Sequence, residues 1–136
     1  MRLAASLLVL FALSIAPALA ATCDGVNQGS TSVYFDVGST TVKEADKPKL
    51  ERFAERAVNF RYVCILGFAD KQGDPAVNER ISRERAQTVR KILLDHGVKA
   101  DAIALETKGE AFGEGNLFGL GSDAEEDRRV TVTFGN

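Results

Sequence analysis

Tyr62 to Ala69 read YVCILGFA, a nearly unbroken apolar run. Five residues later Asp74-Pro75 opens a helical pattern that runs to about His96 and stops at Gly97. A run this apolar fits a strand covered on both faces rather than one alternating between core and water. Asp74 is a good N-cap, and Pro75 has the fixed φ that suits the first helical position. Gly97 supplies the left-handed residue at which helices commonly end. Strand, short loop and long helix in this order require a second layer, so that helix and sheet pack on each other.

The flanking segments complete the pattern. Residues 32–38, SVYFDVG, alternate as a strand with Val33 and Phe35 on one face and Tyr34 on the other. Residues 44–58 read as a helix with Leu50, Phe53, Ala54 and Ala57 at helical spacing. Pro48 belongs in its first turn, which places the cap near Asp46; Thr41-x-x-Glu44 is a competing capping-box signal. AIALETKG and RRVTVTF read as two more strands. Residues 109–127 are rich in glycine and acidic residues and read as a loop folding back on the core, with room for a short helix. The order strand, helix, strand, helix, strand, strand predicts an α+β two-layer sandwich. A mixed four-stranded sheet would carry the two main helices on one face, its first two crossovers being right-handed and parallel.

Arg85 is the anomaly in the second helix. The apolar stripe runs Val77, Ile81, Ala86, Val89, Leu93, and Arg85 falls between Ile81 and Val89. Asn78 lies seven residues earlier and points the same way. A guanidinium on a core-facing stripe needs a partner, because an unpaired buried charge costs several kcal/mol. Asp70 lies just past the strand that feeds this helix, where open sheets tend to bind ligands beyond the carboxyl ends of their strands. Two readings stay open on spacing alone. Asp70 and Arg85 either line a small polar pocket or pair internally.

The first twenty residues read as a leader rather than as fold. Arg2 precedes an apolar run from Leu3 to Ile15, and Pro17 leads into Ala18-Leu19-Ala20, a small-x-small cleavage pattern. The run is short for a hydrocarbon core of about 30 Å, so a cleaved signal over 1–20 is expected, with no membrane span afterwards. Residues 21–31 then form a polar tail and 32–136 one domain, since 116 residues support a single core. The formal charge of −2 becomes about −3 without Arg2. A mildly acidic chain with scattered lysines and arginines has no footprint for nucleic acid. Two cysteines, Cys23 and Cys64, would then meet an oxidising compartment. The reactivity of an exposed lone thiol favours a disulfide; the other reading is a buried Cys64 and a free Cys23.

Catalytic chemistry finds little support. His96 is the only histidine and sits in the last helical turn, where it complements the helix dipole. No Ser or Cys sits in a nucleophile-elbow setting, and no ordered carboxylate pair is evident. The acidic run Asp123 to Asp127 lacks the ligand alternation of a calcium loop. Neither C-x-x-C nor a histidine cluster points to zinc. The expectation is a binding protein, not an enzyme, with no metal or cofactor. Of Arg128 and Arg129, period-two alternation lets only one face inward toward the polar pocket.

The stretch GFADKQGDPAVNERISRERAQTVRKILLDHGV resembles the OmpA-like peptidoglycan-binding domain, which also forms the C-terminal part of peptidoglycan-associated lipoproteins and flagellar-motor stator proteins. The resemblance rests on Ala69-Asp70, Gly73, Asn78, Ile81-Ser82, Arg85-Ala86 and Val89, with Gly97, Ile103, Gly109-Glu110 and the DRRV at Asp127 to Val130. VYFDVGSTTV resembles the first strand of that family, and the likeness covers about Val33 to Phe134. It implies that Asp70 and Arg85 hold the diaminopimelate residue of the peptidoglycan stem peptide. The aspartate would take the ammonium, and the arginine fork the carboxylate, of a free amino-acid end. The implied ligand-binding set is Asp70, Arg85, Asn78, Asp36, Arg128 and Arg129.

This chain departs from the pattern at Gly38, Ala69 and Asp127, where the family often has Asn, Thr and Asn. The implied function is non-covalent binding of peptidoglycan in the periplasm, at the outer membrane or cell wall. Affinity for one stem peptide would be modest, about millimolar to micromolar. An envelope protein partner fits the same reading. A protein-interaction module of the same fold that has lost wall binding is the alternative.

Overall fold

The computed structural model describes residues 23–24, 27–68, 74–108 and 127–136. Its elements follow in the order β1 (Gly29–Tyr34), α1 (Lys47–Ala57), β2 (Tyr62–Phe68), α2 (Pro75–Asp95), a short 3-10 turn (Ala100–Ala102), β3 (Ile103–Lys108) and β4 (Arg129–Gly135). The expected leader and most of the 109–127 loop lie outside the described residues.

The sheet has the strand order β1-β4-β2-β3. β4 is antiparallel to both β1 and β2, whereas β2 and β3 are parallel. The last strand therefore inserts between the first and the second, giving the mixed four-stranded sheet expected from the element order. Residues paired across the ladder share a face. Val33, Val63, Ile65, Val130, Val132 and Phe134 thus point to one side and join Leu50, Phe53, Ala54 and Ala57 of α1 with Ala86, Val89 and Leu93 of α2 in one core. Both helices cover that single face. The result is the expected α+β two-layer sandwich.

The opposite face carries Ser32, Thr131, Thr133 and Glu106 among its positions, with Cys64 and Phe68 buried. Ser32 Oγ and Thr131 Oγ1 share a hydrogen bond of 2.8 Å across that face. Cys23 is bonded to Cys64 in a disulfide, so the bridged reading of the two cysteines holds. The backbone N–H of Cys23 donates to Glu106 Oε1 on β3 at 3.1 Å. The chain then returns to the far edge, where Gln28 N–H donates to Phe134 O at 2.9 Å. β2 is consequently buried on both faces, as its apolar run requires.

Local chemistry explains the boundaries. Asp74 accepts from Ala76 N–H (2.8 Å) and Val77 N–H (3.3 Å), and α2 ends at Asp95, with His96 as its C-cap and Gly97 at φ +92°. His96 Nδ1 lies 2.8 Å from Ile92 O in that last turn. α1 begins at Lys47 after Asp46, with Pro48 in its first turn, so the capping box at Thr41 is not used. Asp46 does not cap its own helix: its Oδ2 accepts from Tyr34 N–H at 2.9 Å, and its Oδ1 pairs with Lys49 at 2.9 Å. β1 starts at Gly29, three residues before the alternation begins, because pairing with β4 orders Ser30 and Thr31 that carry no apolar signal.

Candidate functional site

The carboxyl ends of β1, β2 and β3, the start of β4 and the amino end of α2 meet at one end of the sandwich. Arg85 lies ten residues into α2 and is only 1 % exposed, the largest fully buried side chain in the protein's described part. Its Nε donates to Ser39 O at 2.8 Å and its Nη2 to Asp36 O at 3.1 Å. The guanidinium also stands over the Phe35 ring, 5.2 Å from its centroid. These two donors form the side-on fork of the guanidinium.

What the fork grips is a tight turn. Ser39 N–H donates to Asp36 O at 3.0 Å, closing a four-residue β-turn whose third residue, Gly38, has φ +67°. Gly and Asn are the residues that adopt this backbone most readily, so Gly38 serves the turn where the resembling family often has Asn. A Cβ at Gly38 would meet nothing within 4 Å, which shows that it faces open space. Asp36 uses its backbone oxygen for Arg85 and the turn. Its carboxylate is largely exposed and pairs with Lys43 Nζ at 3.1 Å.

β4 reaches the same place from the other side. Phe35 N–H donates to Arg128 O at 2.9 Å, and Arg128 Nε donates back to Phe35 O at 3.3 Å. Arg85 and Arg128 thus both converge on the carbonyls that end β1. Arg129 takes the opposite face of the sheet, its guanidinium 4.3 Å from the centroid of the Phe68 ring. The alternation expected of this pair is what the strand shows. Asp127, immediately before them, is buried.

The stripe on α2 needs correction. Its buried positions are Asn78, Ser82, Arg85, Ala86, Val89 and Leu93, a clean helical series, whereas Val77 is 42 % exposed and Ile81 is half-buried. The cause lies on β2. A Cβ at Gly67 would sit 2.5 Å from Ser82 O, so the bare glycine lets the helix backbone close on the strand there. That contact turns Asn78 and Ser82 inward and Val77 outward. Ser82 is satisfied within the helix, Oγ donating to Glu79 O at 3.3 Å.

The structure thus brings Arg85 and Arg128 together on a frame of Phe35 and the 36–39 turn, with Asn78 buried two turns earlier on the same face of α2. Arg129 lies on the other face, and Asp36 contributes its backbone. Asp70, Ala69 and Gly73 lie outside the described residues. Ser39 and Phe35 carry much of the arrangement and escaped the sequence reading, since they act through a carbonyl and a ring. The only available signal was the Asp-Val-Gly-Ser turn itself. Among the described residues no three of His, Cys, Asp and Glu converge in a way that could hold a metal ion. No described helix is long and apolar enough to cross a membrane.

These side chains stand at the end of a small α+β sandwich where the carboxyl ends of β1 and β2 meet the start of β4. The sequence profile of the OmpA family matches residues 34–129, and the chain belongs to that family. It is 36 % identical to Outer membrane protein 40 of Porphyromonas gingivalis over 81 residues, covering 58 % of this chain and 21 % of that protein. It is 32 % identical to the probable lipoprotein YiaD of Escherichia coli over 113 residues, covering 76 % of this chain and 48 % of the other. The chain spans about a fifth to a half of the length of these two curated relatives. Among solved structures, the peptidoglycan-associated lipoprotein from Burkholderia pseudomallei superposes with a TM-score of 0.63 at 26 % identity, over 76 % of this chain and 88 % of that one.

Proposed function

We infer that the domain binds peptidoglycan non-covalently through the diaminopimelate end of a stem peptide, in the periplasm beside the outer membrane or cell wall. The observation that carries this reading is Arg85, a guanidinium buried to 99 % on the core face of α2 and aimed at the carboxyl end of β1, within the span matched by the OmpA family. A buried arginine held by two carbonyls is costly to maintain for packing alone, since an apolar side chain of similar volume fills such a position at least as well. Its contacts fix the guanidinium in one geometry, so a ligand carboxylate reaching it would cost little further side-chain ordering. Arg128 adds positive charge from β4, and Asn78 adds an amide from α2. In this reading Asp70 supplies the carboxylate that takes the ligand's ammonium, which distinguishes a zwitterionic end from a simple acid.

The relatives support the envelope setting: outer membrane proteins, a probable lipoprotein, and a solved peptidoglycan-associated lipoprotein. Isolated sacculi provide the test. The protein should pellet with them, free diaminopimelate should release it, and Asp70→Asn and Arg85→Lys should each abolish pelleting while leaving a folded domain. Pelleting that ignores both the competitor and the two substitutions would overturn the reading. Absence of pelleting would favour the interaction module.

A further inference from the structure

We propose that the open edge of β1 and the basic side of α1 together form a docking groove for an extended acidic peptide segment of another envelope protein, separate from the Arg85 corner. β1 is an outer strand: it pairs with β4 on one side and, among the described residues, with no strand on the other. The Phe35–Arg128 pair is a hydrogen-bonded one, so alternation turns the backbone groups of Val33 and Thr31 toward β4 and those of Ser32 and Ser30 away from it. Tyr34 confirms the phase, because its N–H points off the ladder into the Asp46 carboxylate at 2.9 Å. That carboxylate occupies the place a carbonyl of a neighbouring strand would take. It closes one end of the edge and leaves the Ser30–Ser32 stretch to accept a partner strand.

Beside this stretch lies a cavity of about 280 Å³ lined by Ser30, Thr31, Lys49, Arg52, Phe53 and Arg56. Three of the six lining residues are cationic and none is acidic. Lys49 is tied to Asp46, whereas Arg52 and Arg56 have no carboxylate partner among the described residues. The outer surface of α2 is arranged differently: Arg80 pairs with Glu84, Arg83 with Glu79 and Lys91 with Asp95. Arg80, Arg83 and Lys91 are thus neutralised along α2 itself, whereas Arg52 and Arg56 beside the groove are not. Arg56 is also held in place, its guanidinium 5.1 Å from the centroid of the Phe134 ring.

Spacing selects the occupant. Arg52 and Arg56 are four residues apart, about 6 Å along a helix axis. In an extended chain, alternate side chains repeat at roughly 6.8 Å, so carboxylates two residues apart match the two guanidiniums. Backbone pairing at Ser30 and Ser32 then sets register, and the carboxylates give selectivity for acidic segments.

The probe is a labelled ten-residue peptide alternating Glu and Thr, titrated onto the protein purified after export with its own leader. Binding in the micromolar range is expected, with slowed hydrogen exchange at the Ser30 and Ser32 amides. Arg52→Glu, at an exposed position, should weaken binding at least tenfold with an unchanged unfolding midpoint, and Arg52→Lys should restore most of it. A peptide with the same charges and alternate N-methylated amides should not bind. Free diaminopimelate should not compete, which keeps this test independent of the wall-binding reading. Equal binding of the N-methylated peptide, unchanged exchange at Ser30 and Ser32, indifference to Arg52→Glu, or preference for anionic phospholipid vesicles over the peptide would each overturn the proposal.

Discussion

Arg85 shows how one buried side chain can tie a helix to a distant turn. Its side-on fork holds the 36–39 turn, and its ring contact covers Phe35, so the turn and α2 move as one body. Arg85→Lys keeps the charge but cannot reach both carbonyls with a planar fork. The part-buried Ser39 carbonyl would lose its donor, at a cost of roughly 1–3 kcal/mol. The unfolding free energy of Arg85→Lys, from urea titration, should fall by an amount in that range, in addition to its loss of sacculus binding. Asp46 offers a pH test. Burial raises its pKa, but the Tyr34 N–H, Lys49 and Lys43 together outweigh that and hold the carboxyl below its usual value. A depressed carboxylate stabilises the fold above its unfolded pKa, and that contribution is lost as pH falls through the folded value. Asp46→Asn should therefore be less stable than the parent at pH 7, by roughly 1 kcal/mol. The difference should shrink on acidification below about pH 4, as followed by thermal unfolding at a series of pH values.

At the scale of elements, α2 was the most legible and also misled in one respect. Asp74, Pro75 and Gly97 announce both of its ends, because caps and stops depend on local backbone chemistry. The face it buries is another matter. Hydrophobicity nominates Val77, one position from Asn78, and the choice between adjacent positions is a rotation of about 100°. Gly67 on β2 makes that choice by letting the helix backbone approach Ser82. Gly67→Ala would force the helix off the strand and should cost roughly 1–3 kcal/mol, with the largest amide shifts at Asn78 and Ser82. Asp74→Ala removes the cap accepted by Ala76 and Val77 and should cost about 1 kcal/mol by denaturant titration, leaving the sheet unaltered.

The whole molecule depends on a return of the chain to its beginning. The disulfide pins Cys23 to Cys64 in the middle of β2, 41 residues away, and the tail then crosses to the β1–β4 edge. Closing a loop of that length removes denatured-state entropy, so the pair Cys23→Ser with Cys64→Ser should lower stability by roughly 2–4 kcal/mol. Thermal unfolding with and without reductant checks this: reductant should reproduce the loss in the parent and leave the double variant unchanged. β4 completes the sheet only at the end of the chain, inserting between two strands already separated by α1. No local pattern carries that insertion, yet it places Arg128 beside Phe35 and sends Arg129 to the other face.

From sequence alone came the order of elements, the ends of α2, the two-layer architecture and the anomaly of a guanidinium on an apolar stripe. These rest on periodicity, capping chemistry and charge burial, which act over a few residues. Only the tertiary structure decided what Arg85 holds, which face α2 buries and where β1 begins. Those outcomes depend on carbonyls, a bare glycine and a strand arriving from about a hundred residues away, and none of these leaves a mark on the side chains nearby. Backbone groups are the same at every position, so their partners are chosen by packing rather than by composition.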